Sequence, residues 1–370
     1  MRLTGVLERA TPRSWAWLAA TLAGVTAIAV SGCTANAPAS ETAATRTRTA
    51  SPAAARTPEP VPLGKLGTYQ VGQHRITFVE PAHVSTGGYR LPPRHLVTLI
   101  RYPLASGSPA PGSAAAPGTP AKGPLPLIVF GPGFMSCTTP YSALLRAWAS
   151  AGYVVAALNF PHSSCKVGAA ATETDLVNQP ADMSSVITQM LALSASPHGL
   201  FSGLVNPAEV AIAGHSDGGD TVAAMAANTC CLDHRVRAAA VLSGAEWPAM
   251  HGTYFTATSP SMLFVQGSAD PVNWPACSVQ MYQADRSQNR YYLDMLGVNH
   301  TRPYWDAGQY QSVVIRVTTA FFDRWVLAQQ SAGAAMAREG NVSGIAAFYS
   351  GGTGPLKPGP CDNTPPAGSG

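Results

Sequence analysis

Ser216, Asp270 and His300 follow one another along the chain in the order nucleophile, acid, base. Ser216 sits in "AIAGHSDGGD", residues 211–220, with Gly214 two positions before it and Gly218 two after. A Gly-x-Ser-x-Gly match is weak by itself, because a chain with 35 glycines produces such patterns by accident. Its surroundings carry more weight. An apolar "VAIA" precedes it and a helix-forming segment with a small-residue first turn follows, as a strained strand–turn–helix elbow requires. Asp270, in "FVQGSADPV", falls just past the strand after next, and His300, in "MLGVNHTRP", just past the final one. So placed, the imidazole takes the hydroxyl proton as Ser216 attacks an acyl carbon, and the carboxylate fixes the imidazole tautomer. Glu246 is the rival acid, and His162 and His215 are the rival histidines. His215 cannot readily turn back onto its neighbour Ser216, and His162 suits a loop or pocket wall. Asp217 is a carboxylate directly after the nucleophile, expected to point away and bond to a neighbouring helix or loop.

These residues need a sheet whose strands end along one edge, where ligands bind in such folds. Strand patterns lie at 75–80, 95–103, 125–133, 154–160, 209–216, 236–244, 261–270 and 290–300. The third, "LPLIVFGPG", is apolar throughout, as buried parallel strands are. Helix patterns occupy 141–153, 175–195 with a break at Pro180, 218–229 and 310–330. Strands alternating with helices predict an α/β fold, a mostly parallel sheet of about eight strands covered on both faces. Residues 63–330 form the expected catalytic domain, with 104–124 a low-complexity surface insertion and 331–370 an irregular Gly/Pro-rich tail holding at most a short helix near 334–348. The connection from Gly244 to Ser261 has no room for a large lid, so an open cleft is expected. Trp247, Tyr254, Phe255 and Trp274 are candidates for its apolar wall or for the core.

The spacing Ser216, Asp270, His300, with "GPGF" after the third strand, resembles the α/β-hydrolase superfamily. Over residues 70–330 the chain looks most similar to secreted bacterial esterases of the cutinase, polyester hydrolase and platelet-activating-factor acetylhydrolase type. The resemblance implies that the backbone N–H groups of Phe134 and Asp217 form an oxyanion hole. It also implies a carboxylic ester hydrolase with little or no cap and no cofactor. An acyltransferase or serine peptidase could use the same three residues, and a cell-surface binding lipoprotein could be built on the same scaffold.

The ends and the cysteines speak to location. Arg2, Arg9 and Arg13 precede an uncharged run from Trp15 to Val30 and then "SGC", so residues 1–32 read as an export signal and Cys33 as a lipidation site. Residues 33–62 read as a disordered tether. This predicts a chain lipid-anchored to the outer face of the bacterial cell membrane or envelope, monomeric and acting on a small or polymeric ester. Without residues 1–32 the chain keeps 20 basic and 18 acidic residues, by loss of three Arg and one Glu from 23 and 19, which leaves no basic surface for nucleic acid. Six further cysteines, at 137, 165, 230, 231, 277 and 361, favour disulfides in an exported chain. Cys137 and Cys165 follow adjacent strands and are expected to pair, whereas the vicinal Cys230 and Cys231 do not easily join each other. No CxxC pair or HExxH occurs, so no metal is expected.

Overall fold

The computed structural model describes residues 67–85, 88–108, 118–256 and 258–352, with Gly354 and Cys361. The export signal, Cys33 and the tether lie outside the described residues, as do residues 109–117 of the low-complexity insertion.

Among the described residues nine strands form the main sheet: β1 Val71–Glu80, β2 Arg94–Pro103, β3 Leu125–Gly131, β4 Val154–Asn159, β5 Val205–His215, β6 Val236–Leu242, β7 Ser261–Gly267, β8 Arg290–Met295 and β9 Ala346–Ser350. Their spatial order is β1-β2-β4-β3-β5-β6-β7-β8-β9. From β4 to β8 every pairing is parallel, while β1, β2 and β9 run antiparallel to their neighbours. With helices on both faces this is the α/β-hydrolase fold.

Alternation along the central strands explains the layering. Leu127 and Val129 of β3, Val210 and Ile212 of β5, and Ala239 and Val241 of β6 enter one core. Ile128, Phe130, Ala211, Ala213, Ala238 and Ala240 enter the other. Because both faces are covered, these strands read as continuous apolar runs rather than as alternating ones. The first face receives α2 (Gln179–Ala195), α3 (Asp217–Ala227) and α4 (Pro275–Ala284) through Met183, Ile187, Val222 and Met281. The second receives α1 (Ser142–Ser150), α6 (Gln309–Trp325) and α7 (Ala332–Gly340) through Leu145, Trp148, Phe321, Phe322 and Met336. A single short turn of helix, α5 (Arg302–Trp305), follows His300.

Some expectations need correction. Pro180 does not break a helix: it occupies the first turn of α2, where its missing N–H costs nothing, after a 3-10 turn at Glu173–Asn178. The tail does not stay irregular. It forms α7 and then β9, whose five residues pair with β8, and Cys361 beyond them is bonded to Cys277 of α4. Cys230 and Cys231 do pair with each other, in the turn after α3, with Cα atoms 3.8 Å apart. Their bond packs beside Leu176, Met250 and Trp247, so the turn is held by tertiary contacts the sequence does not display. Cys137 and Cys165 pair as expected. Among the described residues, the crossover between β6 and β7 contains no helix, and no helix is long and apolar enough to cross a membrane.

Candidate active site

Ser216 stands between β5 and α3 with φ 56° and ψ −126°, a left-handed backbone that a non-glycine residue adopts only when its surroundings enforce it. The enforcement is visible in its neighbours. A Cβ on Gly214 would overlap the Gly218 carbonyl, and one on Gly218 would overlap the carbonyl of Gly131 at the end of β3. Only hydrogen fits at either position, so the helix start can press against two strand ends. The Ser216 N–H donates to Leu242 O at 3.0 Å, tying the turn to β6.

Ser216, Asp217, His300 and Phe134 line one cavity of about 300 Å³ at the C-terminal edge of the sheet. His300 Nδ1 lies 2.8 Å from Asp270 Oδ2. Asp270 is buried behind the imidazole, where Gln266 Nε2 also donates to Oδ2 at 2.8 Å and the N–H groups of Val272 and Asn273 donate to Oδ1 at 2.8 and 3.1 Å. Four donors converge on a carboxylate that has only acceptors to offer, so its orientation is fixed before any substrate arrives. Ser278 Oγ holds the other end of Gln266 at 2.6 Å, so α4 supports the acid.

The loop after β3 has its own fixings. The N–H groups of Gly133, Met135 and Ser136 are bonded to Tyr141 Oη, Ser163 O and Gly133 O. Among the described residues the N–H of Phe134 has no such partner, and Asp217 opens α3, whose first N–H groups have no acceptor inside the helix. The Cys137–Cys165 bond and the Cys165 N–H to Ser136 O bond at 3.2 Å clamp this loop to the one after β4. With the two cysteines 28 positions apart, the disulfide constrains the unfolded chain by about 3.5 kcal/mol. Replacing both by Ser is expected to lower the free energy of unfolding in urea by about that amount, with activity falling at temperatures where the chain remains folded. Equal urea midpoints for the two proteins would contradict this account.

The rivals take other places. His215 is fully buried, its Nδ1 2.8 Å from Tyr141 Oη and its Nε2 2.9 Å from His300 O. The carbonyl can only accept, so Nε2 carries the proton and Nδ1 accepts from the tyrosine. Burial, then the neighbouring His300, holds the His215 imidazole well below its usual range, which keeps it neutral. A chain of bonds therefore runs from Gly133 N–H through Tyr141 and His215 to the backbone of His300, joining the loop after β3 to the loop after β8. His162 is exposed and lines a separate depression with Arg75, His95 and Lys166. Glu246 lines a neighbouring depression with Met250 and Tyr254, outside the cavity of Ser216. Trp247 borders both depressions, Phe255 is core, and Trp274 is 38% exposed at the start of α4.

Asp217 departs from expectation. It does not turn to a donor on a neighbouring helix or loop: its Oδ2 is buried without a partner and the residue lines the cavity. The charged neighbours acting on it are carboxylates, Glu173 and Asp220 on the same helix turn, and neither supplies a proton when ionised. Burial, then Glu173, pushes the Asp217 carboxyl up to about 7. Asp220 is pushed well above its ordinary value by burial and by Asp217, although its Oδ1 accepts from Ala245 N–H at 2.6 Å.

The sequence reading also missed Tyr141, Glu173, Asp220 and Trp305, all of which line the cavity. Asp220 had a signal, standing one turn from Asp217 on the same helix. Glu173 had none in sequence. It is brought to the cavity mouth by its turn, which Arg94 of β2 anchors through a two-pronged bond to Asp175 at 2.9 and 2.7 Å.

Residues 97–267 match the chlorophyllase family model. This is an esterase family of the α/β-hydrolase type, and the match runs from β2 to the last residue of β7. The chlorophyllase-like segment thus contains Ser216, Asp217 and Phe134, a little under half of the chain. Asp270 and His300 follow beyond its end. A comparison with curated proteins gives no match.

Proposed function

We propose that the protein is a serine carboxylic ester hydrolase, with Ser216 the nucleophile, His300 the general base and Asp270 the group that orients it. His300 Nε2 takes the proton of Ser216 as its oxygen adds to the ester carbonyl. The N–H groups of Phe134 and Asp217 meet the oxyanion, and the proton passes from His300 to the departing alcohol. Water then cleaves the acyl-enzyme by the same steps in reverse. The observation that carries this reading is the conjunction at one cavity of a strained serine at a strand–helix turn with a histidine hydrogen-bonded to a buried aspartate. The chlorophyllase-family match supports the esterase class. Disulfides at 137–165, 230–231 and 277–361 fit an oxidising compartment, and with the export-signal pattern that precedes Cys33 they favour a lipoprotein held outside the cell membrane.

The test is hydrolysis of 4-nitrophenyl esters of rising acyl length, together with labelling by a fluorophosphonate. The expected result is turnover of short and medium acyl chains, which a cavity of about 300 Å³ holds, and one phosphonate bound per chain on a peptide containing Ser216. A folded protein that neither turns over any ester nor takes the label is no serine esterase.

A further inference from the structure

The cavity beside Ser216 is acidic. Asp217 and Asp220 from the first turn of α3 line its wall, Glu173 stands at its mouth, and none of its lining residues is Lys or Arg. Asp220 is partly satisfied by the Ala245 N–H, but Asp217 Oδ2 is enclosed, the residue being only 4% exposed, and has no partner. A buried carboxylate oxygen without a donor carries a desolvation cost that a positive charge in the adjoining cavity offsets electrostatically. The three carboxyl groups do not form a metal-holding cluster by their arrangement. Trp247 and Trp305 also line the cavity, and indole rings attract an organic cation. Neutral esters gain nothing from this acidity, because an ionised carboxylate close to the developing oxyanion opposes it.

We propose that the substrate is an ester carrying an ammonium group, which Asp217, assisted by Asp220 and Glu173, binds in the cavity beside Ser216. This rests on the esterase reading above and names its substrate class. The bond made and broken is unchanged: the acyl carbon moves from the alcohol oxygen to Ser216 and then to water, and the cation remains a spectator that positions the ester.

The test compares esters that differ only in charge, at about pH 8 and fixed ionic strength. One pair places the cation in the alcohol: choline butyrate against 3,3-dimethylbutyl butyrate. The other places it in the acyl group: the 4-nitrophenyl ester of 4-(trimethylammonio)butyrate against that of 5,5-dimethylhexanoate. In at least one pair kcat/KM is expected to favour the cation by about tenfold, the order of one ion–ring contact plus partial charge pairing. That preference is expected to shrink toward unity in Glu173→Gln and in Asp217→Asn. Tetramethylammonium should compete with a neutral ester in the unmodified enzyme while sodium at equal ionic strength does not, a readout that needs no variant. If both neutral esters are hydrolysed, neither cationic partner is preferred and tetramethylammonium does not compete, the inference falls and the esterase reading stands. If no ester of either charge is hydrolysed, both fall.

Discussion

Asp270→Asn is expected to lower kcat for any accepted ester by about 10⁴-fold while leaving the fold intact, the loss measured for the equivalent change in a Ser-His-Asp protease. The reason lies in who donates to whom. Asp270 Oδ2 accepts from His300 Nδ1 at 2.8 Å, which leaves Nε2 free to receive the Ser216 proton. An asparagine in that place keeps its oxygen where Val272 and Asn273 donate, and so turns its NH₂ toward the imidazole. His300 then prefers the tautomer with its proton on Nε2, the atom that must act as base. The loss should lie in kcat rather than KM, because Asp270 is behind the imidazole and touches no substrate. Ser216→Ala should do at least as much damage and abolish phosphonate labelling, leaving only the residual catalysis that oxyanion donors supply. Glu246 gives the counter-test, since Glu246→Gln should change kcat by less than about threefold. Near-wild-type turnover by Asp270→Asn would remove the histidine-orienting role from Asp270.

How far the sequence foretold this site depends on whether the information was local. The elbow at Ser216 is local: its glycines are required by carbonyls of Gly218 and Gly131, and the pattern of small residues is written within a few positions. Asp270 and His300 were legible because each follows the end of an apolar strand, and strand ends in a parallel sheet share one edge. Nothing similar marks Tyr141 or Glu173. They reach the cavity because β3 and β4 are neighbours and because Arg94, far away in sequence, fixes the turn at Glu173–Asn178. Strand β9 was hidden for another reason. Ala346–Ser350 is short and only partly buried, and it gains its order from pairing with β8 and from the Cys277–Cys361 bond beyond it. The Asp217 side chain was misread because a donor from a neighbouring helix or loop was assumed, whereas the fold buries its Oδ2 without one and places Glu173 and Asp220 at the same cavity.

That environment makes Asp217 a residue whose replacement should stabilise the protein. Its carboxyl is pushed up to about 7 in the folded chain from 3.8 for the free group. Between those two values the native state holds a proton that the unfolded state has released, so the free energy of unfolding falls as pH rises from about 4 through about 7 and levels off above. A shift of this size corresponds to about 4 kcal/mol at full ionisation, an upper bound because Glu173 and Asp220 titrate in the same cavity. Asp217→Asn is uncharged at every pH. It is therefore expected to exceed the natural chain by about 2 to 4 kcal/mol in urea unfolding at about pH 8, and to match it or fall slightly below at about pH 4, where both side chains are neutral. Raised carboxyls elsewhere, such as Asp182 at about 8 and Asp323 at about 6, tilt both curves alike and cancel in the difference. The catalytic consequence has the same sign. Above pH 7 the ionised carboxylate opposes the oxyanion by about 2 to 3 kcal/mol at a few ångströms and intermediate dielectric, a factor of roughly 30 to 160. Hydrolysis of a neutral ester should thus decline from about pH 7 to 9 in the natural chain and hold level in Asp217→Asn. A stability difference independent of pH would mean that Asp217 is not protonated in the folded protein, and the acidic cavity would then already be charged at neutrality.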